Sequence, residues 1–344
     1  MSELRSNTAL LLVTLLFVSG ISPLLLTVGA ESEEVNEPLP YNAGGVVIGD
    51  IADFEMDMGD QYLMFEEDQP IVSAFSFMKE AWIEAGRPGV DDMAYEPQTS
   101  ARSGGRACTA HVVNDELTVP TSGGSVDTYV AKTTNTVAFL VQSGRTLTST
   151  VLNNLASSWD QTIYPTMTTY YGKDYQDGRG LAPPDVDNNC QVQIVIYDID
   201  GAYNIGGYFA PSMSNSREAL FVDYADVTLS WGKSILAHEL EHLLHNAQDP
   251  YEKLWIDEGN ADVAIYLCFG ADSTLISHLN QWTEASEISV RWWNQRFADY
   301  GAGFIFTMYL ADHLGGGPAV RQLVQDSATG GLGVENLARS PVSG

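Results

Sequence analysis

Basic charge is what this chain has least of. Five lysines and eleven arginines stand against 45 acidic residues in 344 positions, for a formal charge of −29. Such a balance excludes nucleic acid as a partner, because a polyanion would be repelled. The lysine-poor, acidic composition suits a salty or extracellular setting. Long apolar runs are absent after the first 30 residues, so no membrane insertion is expected once those are removed. Cysteine is scarce at three, Cys108, Cys190 and Cys268, and no two are close enough to form a C-x-x-C metal knuckle. Charged residues are only 18% and apolar residues 44%, which excludes wholesale disorder and supplies a core.

Residues 1–30 read as a signal peptide. Arg5 gives a positive start, an apolar stretch runs from Ala9 to Val28, and Val28-Gly29-Ala30 is a small-residue cleavage site. Export permits a disulfide. Cys108 with Cys190 is the expected pair, because Cys268 sits in an apolar helical stretch.

Residues 31–104 hold 17 acidic and 3 basic residues and read as an acidic linker or pro-segment. No spare cysteine there offers an inhibitory ligand, which favours the linker. Gln69–Ala85 contains one amphipathic helix, with Ile71, Ala74, Phe75, Met78 and Trp82 on its apolar face.

Residues 105–344 read as one globular domain. Thr128–Gln142 and Gln191–Tyr197 are strands, and Glu218–Tyr224 is a short apolar strand. Gly206-Gly207-Tyr208-Phe209 reads as loop. Thr146–Ile163, Thr228–Asn246, Leu254–Phe269 and Gly303–Leu314 are helices. The run after Gly315 is Gly-rich and weakly patterned, so no terminal element is expected there and the natural product is expected to continue. Asp185-x-Asp187-x-Asn189 has the opening spacing of a calcium loop but lacks its Gly and distal Glu, so it reads as a polar turn.

The chemistry concentrates in His238-Glu239-Leu240-Glu241-His242, the H-E-x-x-H pattern. On a helix, positions i and i+4 share a face, so the two imidazoles can lean onto one tetrahedral Zn²⁺ at about 2.0–2.1 Å. Glu239 is placed to reach a metal-bound water. Catalytic zinc needs a third protein ligand and an open fourth position. His245 lies about 10 Å along the axis from His238 and is too far. It reads as a cation at the helix's negative end. A metzincin would have histidine at position 248, where this chain has Gln248. Glu258 is the better third ligand, because Asp249-Pro250 breaks the chain between two helices and lets the second return over the histidine pair. Asp262, one turn further, can accept the other N–H of a ligand histidine. Asp257 reads as a first-turn acid favoured by the helix dipole.

H-E-x-x-H followed by a helix bearing Glu258 and Asp262 resembles the gluzincin class of zinc metallopeptidases. The run from His238 to Leu243 with Leu254-Trp255-Ile256-Asp257-Glu258-Gly259 resembles the hyicolysin-type secreted peptidases more closely. The resemblance implies an α+β, zincin-like two-lobed domain, with a mixed sheet and helices first and a mainly helical lobe after. It implies zinc on His238, His242 and Glu258, Glu239 as general base, and Asp262 behind the ligands. Tyr300, in Asp299-Tyr300-Gly301-Ala302-Gly303-Phe304, is the candidate donor to the oxyanion, beside the plainer reading of a packing tyrosine. The expected function is a secreted zinc endopeptidase acting on peptides or proteins. The alternatives are a non-catalytic zinc-binding module of the same fold and a zinc hydrolase with another substrate. Glu218–Tyr224 is expected at the sheet edge that pairs with an extended substrate. Nothing in the sequence sets an oligomeric state.

Overall fold

β-Branched and aromatic residues crowd the stretch after Cys108, and there they build a sheet. The computed structural model describes residues 72–86, 108–201, 205–214 and 216–340, all within the unit Met64–Gly344. The leader 1–30 and most of 31–104 lie outside the described residues. The chain opens with β1 (Val72–Ser73) and α1 (Phe75–Glu84), then β2 (Glu116–Thr121), β3 (Gly124–Thr133) and β4 (Val137–Gln142). Next come α2 (Ser149–Ser158), a π-helical turn at Trp159–Ile163, and α3 (Tyr164–Tyr171). Then follow β5 (Lys173–Asp174), β6 (Leu181–Ala182), β7 (Val192–Tyr197), β8 (Ile205–Phe209) and β9 (Ala219–Asp223). Six helices complete the described chain: α4 (Gly232–Asn246), α5 (Leu254–Phe269), α6 (Ser273–Glu284), α7 (Phe297–Leu314), α8 (Gly317–Gln325) and α9 (Gly331–Arg339).

Seven strands form one mixed sheet in the order β1-β8-β9-β7-β4-β3-β2. β4, β7 and β9 run parallel, and every residue from Val137 to Val141 and from Ala219 to Asp223 is buried. Burial on both faces is why these strands are continuously apolar rather than alternating. The architecture is therefore mixed α+β. One apolar cluster lies against the sheet, around Val130, Leu140, Val195, Tyr208 and Phe221. A second lies among the later helices, around Trp255, Ile256, Leu310, Leu323 and Leu337. Cys108 and Cys190 are joined, with Cα atoms 5.6 Å apart, and Cys268 is free. No helix among the described residues is long and apolar enough to cross a membrane.

Several expectations need correction. Thr128–Gln142 is a hairpin, not one strand: Thr133 pairs with Ala138 and Thr128 with Gln142, and the amide of Thr134 donates to the carbonyl of Val137 at 2.9 Å. Gly206–Phe209 is strand β8, not loop. Its glycine is imposed by packing, since a Cβ on Gly207 would sit 2.7 Å from Ile235 Cγ2 and 2.8 Å from the Phe221 carbonyl oxygen. Glu218–Tyr224 is not an edge, because β9 lies between β8 and β7. β8 is the strand on that side, and its outer edge is taken by β1 in parallel register, Ser73 against Gly207. After Gly315 two helices appear where none was expected; Ala319, Val320, Leu323, Val324 and Leu337 bury their apolar faces.

α5 is set against α7 through two glycines. A Cβ on Gly259 would lie 2.7 Å from the Gly303 carbonyl oxygen, whereas one on Gly303 would lie 3.1 Å from the nearest atom, the Trp255 carbonyl oxygen. Gly259→Ala is therefore expected to destabilise the protein by about 1–3 kcal/mol through overpacking, and Gly303→Ala by less. Urea midpoints of the two variants test this ranking.

Candidate metal centre

α4 is buried along nearly its whole length, from Ser234 to Asn246. Leucine, alanine, glutamate and histidine favour the helix, and β8 and β9 pack against it. It ends before Asp249, whose carboxylate accepts the Tyr251 amide at 3.0 Å and turns the chain back into α5. This turn brings Glu258 over the histidine pair. His238 Nε2 and His242 Nε2 lie 3.2 and 3.5 Å from Glu258 Oε2, and all three residues are buried. Each of these three atoms is shut away from solvent without a hydrogen bond. Buried polar atoms left this way point to a missing partner. Ligands at about 2.0–2.1 Å on tetrahedral corners lie about 3.4 Å apart, so the donor set and its spacing fit a zinc ion.

The opposite ring nitrogens face carboxylates. His242 Nδ1 is 2.9 Å from Asp257 Oδ1, and His238 Nδ1 is 3.2 Å from Asp262 Oδ1. Nδ1–H on each ring directs Nε2 towards Glu258 Oε2. Asp262 also meets His278 of α6, its Oδ2 lying 2.7 Å from His278 Nδ1. Tyr300 is buried, stacks on His278 with centroids 4.7 Å apart, and lies 6.2 Å from the His238 ring centre. Gly207, His238, Glu239, His278 and Tyr300 line one small cleft.

The six residues named from sequence are thus gathered together. Others were missed or misjudged. Asp257 is not a simple helix-dipole acid, because it bonds His242 and forms a buried ion pair with Lys79. His245 stands in the last turn of α4 as expected, but it is buried, 3.0 Å from Glu241 and 3.6 Å from Asp257; burial would lower its pKa, and these acids raise it to about 9. His278 belongs to α6, a helix not expected from sequence, although Leu275, Ile276 and Leu279 give it an apolar face. The amphipathic helix expected within Gln69–Ala85 is α1, and it reaches the site. In α1, Phe75 stacks on the His242 ring at 3.7 Å, Ser76 Oγ donates to Glu258 Oε1, and Lys79 sits among the buried residues.

The electrostatics follow from burial. Burial alone would lower the His242 pKa, but Glu258 and Asp257 beside it raise it to about 9. Burial likewise opposes charge on His238, and Asp262 and Glu258 overcome it. Burial would raise Asp262, but His278 and His238 hold it down at about 2. Glu239 is raised by burial, with the two histidines pulling the other way.

No family model matches the chain. Comparison with curated proteins gives a relationship to metalloproteases. The relative is the neutral metalloprotease ShpI of Staphylococcus hyicus, 26% identical over 229 residues, which cover 57% of this chain and 50% of that protein. The chain therefore spans about half the length of the curated relative it matches.

Metal-free protein at neutral pH holds His242 protonated, and a metal ligand must be deprotonated. Uptake of a divalent ion is expected to release more than one proton per ion at pH 7. Titration calorimetry in buffers of different ionisation enthalpy measures this, and metal uptake without proton release would contradict it. Because the His242 pKa is raised from 6.5 to about 9, its pairing stabilises the metal-free fold fully below pH 6.5. That contribution is lost as pH rises through about 9.

Proposed function

We propose that this chain is a secreted zinc-dependent endopeptidase with a two-lobed zincin fold, hydrolysing peptide bonds in peptides or proteins. The single observation that carries the reading is the buried set His238 Nε2, His242 Nε2 and Glu258 Oε2, converging beside Glu239 without a hydrogen bond. The named activity of the relative supports it. Export is supported by the leader-like residues 1–30 and by the Cys108–Cys190 bridge, which belongs to oxidising compartments.

His238, His242 and Glu258 would hold the zinc, with Asp257 and Asp262 fixing the imidazole tautomers. A bound zinc ion would lower the pKa of its water to about 7 and polarise the scissile carbonyl. Glu239 accepts a proton from the attacking water as the new C–O bond forms. It returns that proton to the amine nitrogen as the C–N bond breaks. Tyr300, its pKa raised well above the usual phenol by burial, stays protonated and donates to the carbonyl oxygen. An extended substrate would lie along β8, which borders the cleft at Gly207.

Casein cleavage and bound zinc test this. Glu239→Gln should keep stoichiometric zinc and lose at least a hundredfold in rate. Glu258→Ala should lose both. Zinc binding with no proteolysis in either wild type or variant would favour the non-catalytic module instead.

We further infer that Val72–Glu84 is part of a pro-segment that keeps this site closed. Its contacts fall on the residues assigned to catalysis. Ser73 hydrogen-bonds Glu239, Ser76 bonds Glu258, Phe75 covers His242, and the Tyr300 hydroxyl donates to the Ser73 carbonyl at 3.4 Å. β1 also occupies the edge of β8 where a substrate would pair. Removing a buried aromatic side chain costs about 3–5 kcal/mol. Phe75→Ala in the full chain is therefore expected to raise the rate on a short peptide at least tenfold, with no change after the segment is cut away. Equal rates for intact wild type and variant would show that something else limits access.

A further inference from the structure

A second group of acidic side chains lies away from this site, where the turn before β7 meets the start of β9. Asp185, Asp187 and Glu218 bring carboxylate oxygens within 4.8 Å of one another. Asp185 and Glu218 are 1% and 2% exposed, so solvent cannot neutralise them. Most of the oxygens are tied down. Asp185 Oδ1 accepts the Cys190 amide at 3.1 Å, and Glu218 Oε1 accepts the Val186 amide at 2.6 Å. Asp187 accepts the Asn189 amide at 3.2 Å on Oδ1, and the side-chain amides of Asn189 and Gln193, each at 2.8 Å, on Oδ2. The exception is Glu218 Oε2, which is buried and has no hydrogen-bond partner.

Arg217 and His111 act on Asp187, and Arg179 on Asp185, through charge alone. Arg217, whose charge is felt at Asp187, donates to Gln193 Oε1 at 3.2 Å, and Arg179 pairs with Asp177 at 2.7 Å. Among the described residues no lysine or arginine forms an ion pair with Glu218. A buried carboxylate in this position must either be protonated or face a cation. Three carboxylates without nitrogen or sulfur donors select a hard ion. An irregular group drawn from a turn and from the residue before β9 suits calcium, which accepts variable geometry and six to eight oxygens; magnesium demands a near-ideal octahedron.

We propose that Asp185, Asp187 and Glu218 form a structural calcium site. The ion would clamp the entries of two neighbouring parallel strands, β7 and β9, next to the Cys108–Cys190 bridge. It would hold the sheet that carries α4 rather than take part in hydrolysis, so the proposal stands independently of the endopeptidase reading.

Thermal unfolding and calcium titration of the whole protein, stripped with chelator and then saturated with zinc, provide the test. Wild type should bind one Ca²⁺ per chain, with a midpoint that rises on adding millimolar Ca²⁺ and far less on adding Mg²⁺. Glu218→Gln and Asp187→Asn should abolish that rise. Without calcium, Glu218→Gln should unfold no earlier than wild type, because it removes a charge from a like-charged cluster. Absence of stoichiometric Ca²⁺ binding by wild type would overturn the proposal, as would an undiminished calcium response in both variants. An equal response to Mg²⁺ would overturn the choice of calcium. If one variant fails to fold, the other variant and the wild-type stoichiometry still decide.

Discussion

Two imidazoles and three carboxylates share one buried layer between α4 and α5, and their charges must balance in every state the protein visits. His238 and His242 face Glu258 on one side and Asp262 and Asp257 on the other, with none of the five open to solvent. In the metal-free protein, protons on the rings supply the balance, which is why the His242 pKa rises to about 9. One divalent ion in place of two protons leaves the net charge of the layer unchanged. The surrounding structure then meets the same electrostatic load in both states. Lys79 and His245 extend the same balance to the rear of Asp257, where Glu241 is buried as well.

That layer exists only because backbones approach closely enough to build it. Gly259 lets α5 press against α7 one residue beyond Glu258, so the Glu258 carboxylate is fixed by a helix crossing and not by a loop. Gly207 does the same for β8 beneath Ile235 and Glu239. Both positions forbid a side chain for steric reasons, and both lie within two residues or one side chain of the reacting groups. Rigid elements of this kind hold a site more tightly than loops can.

How much of this was readable follows from sequence distance. His238, Glu239 and His242 were visible because helical period is a local property. Glu258 and Asp262 were visible because one turn and one further helix connect them to that pair. Asp257 was misread, since its role depends on how α5 crosses α4 and not on its place in the first turn. β8 was missed because two glycines hide a strand whose reason for glycine lies in another element. Ser76 and Lys79 were beyond reach: their partners Glu258 and Asp257 are 182 and 178 positions away, and no periodicity carries information over that separation. Glu218 was out of view for a similar reason: it stands just before β9, 32 positions beyond Val186, outside any contiguous spacing with Asp185 and Asp187.

The hold of Val72–Glu84 on the cleft has a physical character that bears on its reading as a pro-segment. Among the described residues its ladder is short, with Val72 and Ser73 paired in the parallel sense that is the weaker per residue. Retention must therefore come from side chains: the Phe75 ring on His242, the Ser76 hydroxyl on Glu258, and the Lys79 ammonium on Asp257. These contacts are good enough to fill the cleft while the segment is covalently joined to the domain, because the tether gives it a high effective concentration. A cut in the connection to Cys108 would remove that advantage without altering a single contact. A substrate pairing with β8 over a longer stretch, or an ion drawing Glu258 away from Ser76, would then compete on better terms. A pro-segment held this way would be released by breaking the chain, with no conformational change in the domain it leaves behind.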